Sequence, residues 1–273
     1  MNGMKLLVAL AVCGMLAASA QAGMVELNKV TGEWEWDAVA GCYHRTVTTT
    51  MGFYSDANDV WVMERPITYR TPLIRSAPLV KPDDFDVSDA SRYHPAVEIT
   101  PHREWLQALP VSDFARWISV NERGSDPNVD TNSGLYAIML YNNELVDDRG
   151  WDVTIAGVNV DLYFTADNFL GGNGMSALYF NGDAVTEGDN GLWGNFETAA
   201  VQLFKNQYDL HFSVDLTPGE NWLYLDATSF FGPAGVIFYG EFTYSQVESY
   251  IPEPMSMSLL VVGAMGMLIR RKR

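Results

Sequence analysis

The run Val158-Asn159-Val160-Asp161-Leu162-Tyr163-Phe164 sets Val158, Val160, Leu162 and Phe164 on one side of an extended chain and Asn159, Asp161 and Tyr163 on the other. Successive side chains of a strand point to opposite faces, so this period of two is what a strand with one buried face requires. The same signal repeats outward from it. Residues 175–180 form a short strand running into the turn pair Asn181-Gly182, and further strands are expected over 197–203, 209–216, 222–227 and 236–244. In the last, Val236, Phe238, Phe242 and Tyr244 share one face, while Ile237, Tyr239 and Thr243 share the other. Successive strands with Gly- and Asn-rich turns and no helical period between them specify an all-β fold, an antiparallel β-sandwich.

Toward the N-terminus, strand-like pieces at 45–54 and 60–63 either complete that sandwich or form a separate layer, and the sequence leaves both open. Residues 83–115, interrupted by Pro95, Pro101 and Pro110, read as loops and short strands wrapping the sandwich. A single body over 23–249, most strongly patterned over 97–245, is the simplest organisation. With 48% hydrophobic and 12% aromatic residues the chain can bury a core, which excludes disorder for most of it.

Net charge is −17, and residues 24–250 hold 12 basic against 33 acidic residues, a balance of −21. Such a surface repels phosphate backbones and excludes nucleic acid as a partner. The chain has two cysteines, of which Cys13 falls in the leader described next. Cys42 then has no partner for an intramolecular disulfide and is expected as a small buried apolar side chain.

Both ends read as targeting segments. Lys5, the apolar run 6–16 and the small residues up to Ala20 and Ala22 form the three parts of a secretory signal peptide over 1–22, with cleavage by signal peptidase before Gly23. At the other end, Pro252-Glu253-Pro254 precedes a largely apolar stretch, 255–269, and the basic cluster Arg270, Arg271, Lys272 and Arg273. Fifteen residues of helix reach about 22 Å against a hydrocarbon core of about 30 Å, so this stretch engages a membrane without being a comfortable permanent span. The terminal basic residues stay cytoplasmic, which leaves Pro252-Glu253-Pro254 and the body on the outer side of the inner membrane. Each proline ring fixes φ and removes an N–H, so the motif stays extended and accessible.

The order Pro-Glu-Pro, short apolar helix, basic end resembles the PEP-CTERM sorting domain of Gram-negative surface proteins, over residues 250–273. That resemblance implies an exosortase that recognises Pro252, Glu253 and Pro254 and releases or transfers the body, after transient inner-membrane contact, to the cell surface or extracellular space. Within the body, Ala115-Arg116-Trp117-Ile118-Ser119, Phe164-Thr165-Ala166-Asp167-Asn168, Tyr179-Phe180-Asn181-Gly182 and residues 216–223 are similar to a pattern of "W-I", "A-D-N", "L-N-G" and "pG-N-L" pieces common in PEP-CTERM proteins. The resemblance implies a jelly-roll sandwich like galactose-binding-like and carbohydrate-binding modules. Each piece also has a structural reading. Asp167 and Asn168 end a strand, Asn181-Gly182 and Gly219 supply positive φ, and Trp117 and Trp222 fill the core.

No catalytic constellation is visible. Asp147 with Asp148, and Asp183 with Glu187, are carboxylate pairs that read as solvated surface in so acidic a chain. His44, His94, His102 and His211 lack the spacing of a zinc site. Asp126, Asn128 and Asp130 begin like an EF-hand loop, but Thr131 holds the glycine position and Ala137 that of the bidentate glutamate. No cofactor is implied, although loop oxygens, including those of 183–190, leave room for a structural calcium. For glycan contact the exposed candidate is Trp193, with Asn190 and Asn195 placed to hydrogen-bond sugar hydroxyls. The expected function is a non-enzymatic surface or extracellular-matrix component associated with exopolysaccharide. The alternatives are a carbohydrate-binding module protein and, behind it, a glycan hydrolase or lyase on a jelly roll.

Overall fold

A computed structural model describes residues 24–65, 93–129, 131–143, 153–155, 158–167, 169–170, 177–185, 203–217, 219–228 and 232–251. Among them there is no α-helix, only one 3₁₀ turn at Leu203–Lys205, and the strands form two antiparallel sheets. The first sheet runs in the order β1 (Met24–Thr31), β3 (Cys42–Tyr54), β16 (Gly235–Tyr250), β10 (Val158–Asp167), β14 (Tyr208–Val214). Short strands β2 (Glu35–Asp37), β6 (Val97–Glu98), β7 (Ile118–Ser119) and β9 (Val153–Ile155) add to it. The second sheet runs β13 (Asp183–Ala184), β12 (Leu178–Phe180), β15 (Gly219–Thr228), β8 (Ser133–Asn143), β4 (Val60–Arg65), β5 (Tyr93–Pro95), with β11 (Phe169–Leu170) beside β15. β3 pairs with β16, and β4 pairs with β8, so residues 42–65 are built into both sheets rather than forming a layer of their own.

The alternation that predicts β10 is observed. Val158, Val160, Leu162 and Phe164 are buried in the core between the sheets, while Asn159 is exposed and Asp161 and Tyr163 are half-buried on the outer face. Val236, Phe238, Phe242 and Tyr244 of β16 point into the same core, against Val62, Ile138, Leu223 and Leu225 from the second sheet. Burying a side chain of this size contributes about 1.5–3 kcal/mol, so this shared interior is the main cohesive term.

One close approach locks the two longest strands together. Gly240 faces Phe53 directly across the β3–β16 ladder, and the Phe53 ring lies 6.4 Å from Phe238 and 6.3 Å from Phe242. The Phe53 ring fills the space that a side chain at 240 would take, and a Cβ there would collide with it. Beside it Ser55, fully buried, donates through Oγ to Arg116 O at 2.7 Å and accepts from Phe238 N at 3.1 Å.

The segment 93–120 does wrap the sandwich. Trp105 and Trp117 lie 4.4 Å apart and pack with Ile99, Leu109 and Ala115 over Ile237, on the outer face of the first sheet. Trp117 is therefore a core filler, as expected. Trp222 differs, being only half-buried beside Tyr224 on the far side of the second sheet. Cys42 is half-buried rather than buried, because it begins β3 at the end of the sheet.

The Gly240 contact generates a prediction. Gly240→Ala should lower the unfolding free energy by about 1–3 kcal/mol, the usual cost of overpacking a filled core. Urea denaturation should show Phe53→Leu recovering part of that loss when the two are combined, since the smaller side chain makes room.

Candidate functional site

The outward positions of β14, β10, β16 and β3 line up by register into three cross-sheet rows. Asp209, Tyr163, Tyr239 and Tyr54 form one; His211, Asp161, Glu241 and Gly52 the next; Ser213, Asn159, Thr243 and Thr50 the third. Residues directly opposite in an antiparallel ladder share a face, so these side chains tile one continuous surface. The cap built on Trp105 and Trp117 covers this face over Ile237 and stops at Tyr239 and Tyr54, which pack only partly against it. Beyond the cap, no described residue outside these strands packs over the face.

Its side chains are held in place by one another. The rings of Tyr163 and Tyr239 stack at 6.4 Å with 24° between planes. The Tyr239 hydroxyl donates to Glu241 Oε1 at 2.7 Å. His211 bridges two carboxylates, with Nδ1 2.5 Å from Asp161 Oδ1 and Nε2 3.3 Å from Asp209 Oδ2. In the third row Ser213 Oγ donates to Asn159 Oδ1 at 2.8 Å, and Thr50 and Thr243 hydroxyls lie 2.9 Å apart. The electrostatics follow from these contacts. The hydrogen bond to Asp161 raises the His211 pKa above its ordinary value against a small opposing effect of burial, and Asp209 adds to the rise. Tyr239 is pushed up by burial and then by Glu241, and Tyr163 by burial and then by Asp161, Glu241 and Asp209. Both phenols thus stay neutral at physiological pH. The surface combines two flat aromatic rings with charged and hydroxyl groups that both donate and accept.

Shallow clefts flank it. One of about 350 Å³ shares Ser213 and runs to Asn181 and Asp183 on the β12–β13 hairpin. Another, of about 360 Å³, lies against Ile237 between Arg116, Gln107 and Glu98.

The motif pieces of the body are explained by two polar staples. Trp105 Nε1 donates to Asp167 Oδ2 at 2.8 Å and Trp117 Nε1 to Leu106 O at 2.7 Å, which ties the "W-I" and "A-D-N" pieces to one cap. Asn221, fully buried, accepts at Oδ1 from Thr217 N at 2.8 Å and from Asn181 Nδ2 at 2.9 Å. Its Nδ2 donates to Thr217 O and Gly219 O, while Asn181 Oδ1 accepts from Trp222 N. The "L-N-G" and "pG-N-L" pieces are thereby one network. Asn181 and Gly182 take φ of 48° and 92°, and Gly219 of 89°, as the turn chemistry requires.

Trp193, Asn190 and Asn195 lie outside the described residues, as do Ala20, Ala22, Pro252, Glu253, Pro254, Arg270, Arg271, Lys272 and Arg273, and also Asp130, Asp147, Asp148 and Glu187. Asp126 is committed locally. Its Oδ2 accepts from Arg123 at 2.8 Å and its Oδ1 from Asn128 N at 2.9 Å, contacts that hold its pKa below the usual value. Among the described residues no three His, Cys, Asp or Glu side chains are grouped to hold a metal ion. The open face of the first sheet is what sequence reasoning missed. Asp161, Tyr163 and Tyr239 were visible as outward positions, but only the strand register brings His211, Asp209 and Glu241 beside them. No family model and no curated protein matches the chain.

The His211 geometry predicts a titration. Because its folded pKa is raised, the bridge stabilises the protein fully below the unfolded value near 6.5 and is lost as pH rises through the folded pKa. NMR of the imidazole should give a midpoint above about 6.5, and Asp161→Asn should lower it. The variant's stability deficit should be greatest at about pH 5–6 and shrink as pH rises, and it should be small, since the pair is substantially exposed.

Proposed function

We propose that this is an exported, exosortase-sorted surface or extracellular-matrix protein, non-enzymatic, that associates with exopolysaccharide through the open face of its first sheet. The observation that carries the glycan reading is the pair of stacked tyrosines, Tyr163 and Tyr239, set among Asp161, His211, Asp209 and Glu241. Aromatic rings offer an apolar surface to the C–H side of a sugar, and the surrounding carboxylates and imidazole match its hydroxyls. The three carboxylates favour a neutral or amino-sugar glycan over a uronic-acid polymer, which would be repelled. In this reading the sandwich is a jelly roll of the galactose-binding-like kind, and the 1–22 and 250–273 segments are its export and sorting addresses. The order of Pro252-Glu253-Pro254, apolar stretch and basic end supports the second address.

Co-sedimentation of the exported protein with purified exopolysaccharide tests the face. Tyr163→Ala combined with Tyr239→Ala should weaken retention by roughly tenfold, the equivalent of about 1.4 kcal/mol, as expected from losing two ring contacts. Trp222→Ala, on the other sheet, should leave it unchanged. Equal retention by the wild type and the double tyrosine variant would remove the glycan assignment.

A further inference from the structure

The ladder between β3 and β16 runs from Tyr54 opposite Tyr239 to Tyr43 opposite Tyr250. Along it, the side that faces the second sheet is buried wherever that sheet backs it, with Phe53 at 0% and Val47 at 1% exposure. Past Val47 the same side continues through Arg45 and Tyr43 of β3, and Glu248 and Tyr250 of β16. β2 extends it with Trp36, which is opposite Tyr43. Here the rings are exposed, Trp36 by 51%, Tyr43 and Tyr250 by 39% each and Trp34 by 36%, while Glu248 between them stays buried against Arg45. The side chains are nevertheless ordered by contact. Trp36 and Tyr43 rings lie 4.9 Å apart, and the Arg45 guanidinium stands 4.6 Å over the Trp34 ring while donating to Glu248 at 2.7 Å. The turn after β2 puts Val39 fully in solvent, and β16 leads out to Ile251, 66% exposed. Among the described residues no strand of the second sheet pairs or packs over these rings, and isolated exposure does not account for a contiguous aromatic patch of this kind.

The course of the chain says what lies against it. Only Pro252-Glu253-Pro254 separates Ile251 from the apolar stretch 255–269. Three extended residues span at most about 10 Å, and the headgroup layer on each side of the hydrocarbon core is about 5–7 Å deep. With the apolar stretch in the bilayer, the end of the sandwich that carries Trp34, Trp36, Val39, Tyr43, Tyr250 and Ile251 has no room to stand away from the membrane. Trp and Tyr are the side chains that settle at this boundary, with an apolar ring toward the acyl chains and an N–H or O–H toward water.

We infer that this overhanging end is a membrane-interface contact that seats the body on phospholipid headgroups while the tail is inserted. The inference rests on the tail-insertion reading above and deepens it. The contact is aromatic rather than electrostatic. Glu33, Glu35 and Asp37 accompany the tryptophans, so zwitterionic headgroups are the partner and strongly anionic ones are repelled. Its consequence is positional. It sets the Tyr250 end of β16 at the bilayer surface, and removal of the tail leaves the aromatic patch alone to hold it there.

The test uses the protein recovered with its tail intact from a host without exosortase and reconstituted in phosphatidylcholine vesicles, with and without lipid brominated near the headgroup. None of the 8 tryptophans lies after Ile251, so any quenching by the bromolipid reports on the body. Flotation with the vesicles, together with quenching that is largely lost in the Trp34→Phe, Trp36→Phe variant and retained in Trp222→Phe, is the expected result. Flotation with no quenching traceable to Trp34 and Trp36 overturns the interface contact while leaving tail insertion standing. Failure to float overturns both. Protection of the two tryptophans by concentration-dependent dimerisation, without bromolipid quenching, assigns the patch to a second copy and also overturns the proposal.

Discussion

The close packing of Phe53 onto Gly240 is the contact on which the rest of the molecule depends. It fixes the register of β3 against β16, and in a sheet a slip of one residue would turn every side chain to the opposite face. With that register set, β16 organises three surfaces in succession along its 16 residues. Near its start Ile237 carries the tryptophan cap. In its middle Tyr239, Glu241 and Thr243 contribute to the open polar and aromatic face. At its end Glu248 stays buried against Arg45, and Tyr250 reaches the exposed aromatic tip. One strand alternating strictly between core and outer face therefore separates a sealed region, a candidate glycan surface and a candidate membrane contact.

The buried polar groups do complementary work. Asn221 and Asp167 are sequestered from water, and leaving such groups unpaired would cost about 1–3 kcal/mol each. The molecule avoids that cost by spending both on long-range ties. Asn221 joins the β14–β15 loop to the β12–β13 hairpin, and Asp167 joins β10 to the cap through Trp105. Residues that resemble a recurring motif in sorted surface proteins are here the pins of the scaffold. The proposed ligand contact falls instead on outward side chains of the strands, Tyr163 and Tyr239 among them.

That division explains how much could be read from the chain. The fold class was legible because Val158 to Phe164 and Val236 to Tyr244 alternate cleanly, and because Asn181-Gly182 and Gly219 carry the conformational demands of their turns in their own chemistry. The association of 42–65 with both sheets was not, since strand partnership depends on contacts across nearly 200 residues, as between Thr48 and Ser245. The candidate face was half legible. Asp161 and Tyr163 announce an outward polar surface, but the bridge from Asp161 through His211 to Asp209 exists only once β10 and β14 are in register. Trp222 was assigned to the core by its size, while its half-buried position follows from which side of β15 it occupies. The exposed tip was invisible for a related reason. The N-terminal strand pieces expected from the sequence begin only at residue 45, so Trp34 and Trp36 carried no expectation, and it is the packing of the described residues that leaves their rings exposed.

In the proposed function the outer face of the first sheet is where this protein would meet exopolysaccharide, with the sandwich behind it as a support. Hydroxyl-radical footprinting of the protein, free and saturated with the polysaccharide, measures that directly, since tyrosine oxidation reports ring accessibility side chain by side chain. Tyr163 and Tyr239 should become protected on binding while Trp222 on the opposite sheet keeps its reactivity. Bound protein in which Tyr163 and Tyr239 oxidise at their free rates would contradict it.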